Sequence, residues 1–170
     1  MDKTDPSGKD EVDVFRPFAG GLAYHEAEFV GNDKGGWTYV SKDGAVGGGA
    51  AGHSTYTIES FGSLKSALGF ASKQGYTSAF DHSATPKQDA ANVKAATAAA
   101  KTDYNVLTCN CGQTVGAGER AAGTPGYSGS SPNPKDSAKF EASPQGRQAG
   151  WVPVALPPPP PPPPPPKLNQ

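Results

Sequence analysis

Residues 24–30 alternate along their length: His25, Ala27 and Phe29 fall on one face of an extended chain, Glu26 and Glu28 on the other. That is the period of a half-buried β-strand. Turn chemistry follows in every residue from Gly31 through Asn32, Asp33, Lys34 and Gly35 to Gly36. Trp37, Thr38, Tyr39, Val40 and Ser41 are aromatic, β-branched or small, and they return as the hairpin partner, with Lys42-Asp43-Gly44 ending the strand. A hairpin at this point commits the chain to a small antiparallel sheet.

Helix signals lie downstream. Phe61, Leu64, Leu68 and Phe70 have near-helical spacing over residues 60–72. Thr85, Pro86 and Gln88 stand at N-cap, N1 and N3, a capping box with proline in the first turn. The run at 89–101 is dominated by alanine, the best helix former, and its small side chains allow close packing on a neighbouring helix. Short strands are expected at 54–58 and 76–80, a helical turn at 136–142, and a mobile glycine-alanine loop at 47–52. The expected fold is α+β: a small antiparallel sheet packed on two or three helices. Residues 1–13 read as a flexible lead-in, 14–125 as the folded domain, 126–150 as a loop-rich extension and 151–170 as a proline-rich tail.

Both cysteines lie in residues 104–115. Cys111 falls where a helix should open, with Asn110 as its N-cap and Gly123 as a stop. A thiol there faces unpaired backbone N–H groups and the positive end of the helix dipole, which favour the nucleophilic thiolate. The contrasting reading is a small buried hydrophobe. Cys109 and Cys111 are too close to form an unstrained disulfide. His25, His53 and His82 are scattered singly, so no metal site and no cofactor are expected.

Composition narrows the function classes. A formal net charge of −1, without a basic stripe, argues against nucleic acid or an anionic membrane as partner. No apolar run approaches a membrane span of about 18 residues. Hydrophobic residues make up 35%, and Gly (22) with Pro (18) form nearly a quarter of the chain, pointing to disordered or extended ends. The polar, acidic start is no signal peptide, so synthesis in the cytoplasm and any export by a specialised route are expected. The unbroken prolines at 157–166 form polyproline II, about 3.1 Å per residue and roughly 30 Å in all, a stiff spacer or a docking strand.

Two separated stretches carry a resemblance. Residues 29–44, from Phe29-Val30-Gly31-Asn32 through Trp37-Thr38-Tyr39-Val40-Ser41 to Gly44, and residues 85–115, from Thr85-Pro86 through Tyr104-Asn105 to Asn110-Cys111 and Val115, resemble a domain at the C-terminal ends of bacterial Rhs-repeat proteins and related polymorphic toxins. These are similar to circularly permuted papain-like (NlpC-type) cysteine hydrolases. The resemblance covers about residues 20–125, and its two motifs occur in the family's order. It implies Cys111 as nucleophile, His25 as general base, and Asn110 and Gly112 as positioning and oxyanion residues. A third group must orient the imidazole; Ser41 is the first choice, with Tyr39 and Thr38 behind it. Tyr24 stands where the family commonly has Gly, Glu26 and Glu28 replace small or apolar residues, and Cys109 replaces a polar one. His53 is the rival base, and His82 reads as a loop residue.

The resemblance thus implies a cysteine amidase or peptidase of bacterial origin, an exported antibacterial effector acting on peptide or peptidoglycan and paired with an immunity protein. The alternative is an inactive interaction module of the same fold, with the proline segment as a tether.

Overall fold

The computed structural model describes residues 10–21, 23–126, 133–159 and 161. Asp10–Phe18 (β1), Ala23–Asn32 (β2) and Gly36–Ala45 (β3) form an antiparallel meander, with Asp13 opposite Glu28 and Ala27 opposite Ser41. The 31–36 turn forms where its residues require it. Asn32 Oδ1 accepts from the Lys34 and Gly35 amides at 2.9 and 2.7 Å. Gly31 has a positive φ of 148°, and a Cβ there would run into the Gly36 carbonyl, so only glycine fits.

Ala51–Gly52 (β4) is a short piece, and Ser54–Phe61 (β5) pairs with the outer side of β3. Leu64–Lys73 (α1) follows, then Ser78–Ser83 (β6), which pairs with β1. Pro86–Ala100 (α2) opens on the expected capping box: the Gln88 amide donates to Thr85 Oγ1 and the Thr85 amide to Gln88 Oε1. Tyr104–Asn105 (β7) pairs with β4, so the 47–52 segment is tied down at its end. Cys111–Ala122 (α3), Pro134–Ala142 (α4), Pro144–Gln148 (α5) and Val152–Val154 (β8) complete the chain. The fold is α+β, with a six-stranded antiparallel sheet in the order β5-β3-β2-β1-β6-β8 and five α-helices among the described residues.

The sheet is covered on both faces. On one, Val12, Val14, Ala27, Phe29, Trp37 and Tyr39 pack on Ala67, Leu68 and Ala71 of α1. Asp33 Oδ1 fastens this layer, accepting from Trp37 Nε1 at 2.8 Å and from the Leu64 amide at 2.7 Å. On the other face α2 packs on α3; Ala96 and Ala100 cover Val40, and α4 crosses β2. This second cover corrects the half-buried strand: Glu26 and Glu28 are 1% and 0% exposed. A polar alternation that reads as a wet face is enclosed here by helices.

Two boundaries also change. Of the expected lead-in, residues 1–9 lie outside the described residues, while residues 10–13 begin β1. Of the expected tail, Trp151 is fully buried against Phe15 and Phe80, β8 extends the sheet along β6, and Ser72 Oγ donates to the Pro157 carbonyl at 2.7 Å. The polyproline reading of 157–166 falls mainly on residues outside those described, as do residues 127–132 of the loop-rich extension expected at 126–150, whose later part forms α4 and α5.

Candidate functional site

The entry to α3 forms as the sequence requires. The Gln113 amide donates to Asn110 Oδ1, Gln113 Oε1 accepts from the Asn110 amide, and Asn110 Nδ2 donates to the Val106 carbonyl at 2.8 Å. Cys111 therefore does occupy a helix N-terminus. Its thiol is nevertheless 7% exposed and pushed up to about 11. Burial is the dominant cause; backbone hydrogen bonds at Glu26, Gly112 and Cys111 itself favour the thiolate, while the nearby Glu26 carboxyl opposes it. The expected activation exists locally and is outweighed by desolvation.

His25 and Ser41 are brought together. His25 Nε2 lies 3.0 Å from Ser41 Oγ and 3.6 Å from Asp43 Oδ1, and Ser41 Oγ donates to Asp43 Oδ1 at 2.6 Å. Since the serine proton is committed to Asp43, Nε2 carries the hydrogen and donates to Ser41. Thr57 Oγ1 donates to Asp43 Oδ2 at 3.0 Å and fixes the carboxylate. Burial and the Arg16 charge lower the imidazole to about 4 against the pull of Asp43, so His25 is neutral at pH 7. Tyr39, on the same sheet face, is held by the Tyr76 hydroxyl at 2.7 Å and also meets Ser41, while Ser41 is the group at hydrogen-bond distance from His25.

The structure does not pair His25 with Cys111. Strand alternation puts His25 on the face covered by α1, whereas Cys111 opens a helix on the opposite face. Among the described residues the two side chains share no hydrogen bond or ion pair. The rival base, His53, is a surface residue paired with Asp103 at 3.1 Å, with side chains 90% and 75% exposed. His82, expected in a loop, lies in β6, where its Nε2 meets the Ala149 carbonyl and its ring meets Trp151.

Cys109 has the more acidic environment. Lys42 is buried, and its Nζ lies 3.1 Å from Cys109 Sγ, with the carbonyls of Ala99 and Thr102 at 3.0 and 2.9 Å. The ammonium thereby caps the C-terminal end of α2, where carbonyls are unpaired. Partial burial works against the Cys109 thiolate, yet hydrogen bonds from Thr102 and Lys42 and the Lys42 charge outweigh it and hold the thiol below its usual value. The sequence showed Lys42 only as the end of a strand; β3 instead continues past it, with a register shift between Lys42 and Gly44.

Beside His25, Ser41 and Asp43 opens a cleft of about 310 Å³ lined by Arg16, Tyr39, Asp43, Thr57, Glu59 and Phe70. Arg16 Nη1 donates to the Gln74 carbonyl at 2.9 Å, and its guanidinium lies 5.2 Å from the centre of the Tyr76 ring. Arg16 carried no motif in the sequence, and Asp43 stood there only as part of a strand end. A second group that sequence reasoning passed over is acidic: Glu11 and Asp13 on β1, Glu26 and Glu28 on β2, and Glu141 on α4, all buried. The pairs Glu11/Asp13 and Glu26/Glu28, each two residues apart on neighbouring strands, were the readable sign.

No family model, curated protein or solved structure compared with the chain matches it. Among the described residues no helix is long and apolar enough to cross a membrane.

Proposed function

We propose that the chain is a small binding module whose ligand is a short peptide with a free ammonium and a free carboxylate. One observation carries this reading: a single cleft of about 310 Å³ offers the Arg16 guanidinium, the Asp43 and Glu59 carboxylates, and the rings of Tyr39 and Phe70. That volume suits a ligand of dipeptide size. Arg16 would take the carboxylate and Asp43 with Glu59 the ammonium, leaving the rings to cover an apolar side chain. Ser41 and His25 then act as positioning residues for Asp43. Peptidoglycan stem peptides have this chemistry.

Titrating a free dipeptide, followed by the backbone amide shifts of Tyr39 and Thr57, should give saturable binding. Acetylating its N-terminus, amidating its C-terminus, or introducing Arg16→Gln should each weaken it about tenfold, the loss of one charge-assisted contact. Equal binding of the blocked peptides would defeat the reading.

A second reading, a cysteine amidase or peptidase, has one observation in its favour. Ser41 and Asp43 hold His25 Nε2, which leaves Nδ1 as the nitrogen to exchange a proton, one residue from the Glu26 backbone that Cys111 meets. That chemistry would require the two side chains, which lie on opposite faces of the sheet, to be brought together: the Cys111 thiol would give its proton to His25 Nδ1 and attack an amide carbonyl, Gly112 and the N-terminus of α3 would hold the oxyanion, the imidazolium would protonate the leaving amine, and water would cleave the thioester. An exported effector of this kind would be encoded beside an immunity protein.

Iodoacetamide separates the two. With Cys111 at about 11, roughly one thiol in ten thousand is ionised at pH 7. As a binding module the chain should be alkylated at Cys109 first, and Lys42→Met should slow that reaction. Rapid labelling of Cys111 at about pH 6 that His25→Ala slows would instead establish the hydrolase.

A further inference from the structure

We propose that the space between β1, β2 and the helices α2, α3 and α4 is a divalent cation centre, built for calcium, with two adjoining positions that share Asp13. The site lies across the sheet from the peptide cleft and does not depend on it. Its first position is bounded by Glu11, Asp13 and Glu28, and its second by Asp13, Glu26 and Glu141; within each trio one ligand oxygen from every residue lies within 4.8 Å of the others. Calcium holds oxygens at about 2.3–2.6 Å, so ligands on opposite sides of one ion stand about 5 Å apart. The spacing fits.

The strands explain why these oxygens converge. Asp13 pairs directly with Glu28 across β1 and β2, an arrangement of like charges that is unfavourable unless something positive lies between them. As carboxylates, both oxygens of Asp13, Glu28 and Glu141 lack a donor, as do Oε1 of Glu11 and Oε2 of Glu26, and the close pairs Glu11–Glu28 and Asp13–Glu141 can be bridged only by a shared proton or a cation. The remaining Glu11 oxygen is fixed by Thr124 Oγ1 at 2.8 Å, which leaves its partner oxygen aimed inward.

A separate, neutral group points to a cation. Asn92 on α2 is 1% exposed, and neither Oδ1 nor Nδ2 makes a hydrogen bond. Its side chain is near enough to Glu11 and Glu28 to lower their pKa values, but the amide is not aligned for a full hydrogen bond with either. Gly118 on α3 leaves room for it, since a Cβ there would run into Asn92 Oδ1. The amide nitrogen is the atom that faces Glu11 and Glu28, and a half-turn of the amide exchanges it for the oxygen, which completes a shell of oxygen ligands around a metal.

The donor set selects the ion. With oxygen alone and neither nitrogen nor sulfur, it excludes zinc and copper and suits magnesium, calcium or manganese. Magnesium keeps several of its waters, whereas these side chains are sealed from solvent, and calcium accepts six to eight protein oxygens in irregular geometry. Five carboxylates facing two divalent ions leave the centre close to neutral.

The test uses the full chain, stripped with chelator and titrated with calcium chloride by calorimetry in about 150 mM sodium chloride, where weak surface sites are screened. Uptake should saturate near two ions per chain. At a thousandfold excess over Kd, Tm should rise by about 10 °C. Asp13→Asn should abolish both positions and Glu141→Gln one. Asp13→Asn removes a buried like charge, so in chelator it should melt no lower than the unsubstituted chain, which shows that it folds. No calcium uptake by the unsubstituted chain, or two ions still bound by folded Asp13→Asn, would overturn the proposal. Equal affinity for magnesium would overturn the choice of calcium.

Discussion

Trp151→Ala should lower the unfolding free energy by about 3–5 kcal/mol, the usual cost of deleting a large aromatic from a packed core. Trp151 is 0% exposed, packs with Phe15 and Phe80, and donates from Nε1 to the Pro125 carbonyl at 2.7 Å. The substitution would therefore open a cavity and leave that carbonyl without its donor. A domain of this size has about 5–15 kcal/mol to lose, so the variant should be partly unfolded at 37 °C. Urea denaturation followed by circular dichroism measures it. Truncation before Trp151 should be at least as damaging, because β8 would leave the edge of β6 and Leu156 would leave the α1 layer. A truncated chain with unchanged stability would return residues 151–157 to the status of a tail.

The second large effect is on pH dependence in chelator. Burial raises Glu11 to about 7 and Glu119 to about 8, and raises Asp13, Glu26, Glu28 and Glu141 well above the carboxylate range, with mutual repulsion adding to it. The folded chain thus holds protons that the unfolded chain has already released above its ordinary carboxyl pKa of about 4.5. Stability is full below that pH and is lost as pH rises through the folded-state values. At about 1.4 kcal/mol per unit, Glu11 alone contributes a loss of about 3 kcal/mol by pH 7.

His25 acts in the opposite sense. Lowered to about 4 by burial and the Arg16 charge, against the pull of Asp43, it gains stability as pH rises toward its unfolded value and roughly cancels Glu11. Among the described residues nothing comparable offsets Glu119 and the other four acids; Arg120 lowers Glu119 by less than burial and Glu11 raise it, and Asp89 raises Glu11. Tm in chelator should fall by at least 10 °C between about pH 5.5 and pH 8, and saturating calcium should flatten the profile. A flat profile in chelator would mean that the carboxyls are not enclosed together.

Much of the fold was readable because it rests on local chemistry. Asn32 and the glycines around it dictate the hairpin turn, and the alternation of residues 24–30 dictates a strand. Thr85 with Gln88, and Asn110 with Gln113, close capping boxes within four residues of chain, so the starts of α2 and α3 follow from short-range hydrogen bonding. Ser41, the first choice for the group that orients His25, lies beside it on the neighbouring strand, diagonal to its own register partner Ala27.

Features that depend on what packs above a strand were not readable. The same alternation that defines β2 fits a sheet with one wet face or one with both faces covered. Helices contributed from residues 86–142 decide for the second and seal Glu26 and Glu28. The reactivity of the two cysteines was decided in the same way. Position at a helix N-terminus favours a Cys111 thiolate, but desolvation grows with every neighbouring layer and wins, while Lys42, 67 residues earlier, lowers Cys109 instead. By itself the sequence determined where strands and helices begin, since those signals act between near neighbours. Only the tertiary structure decided which polar groups lose water and which charges face one another, because burial and electrostatic proximity are sums over distant parts of the chain.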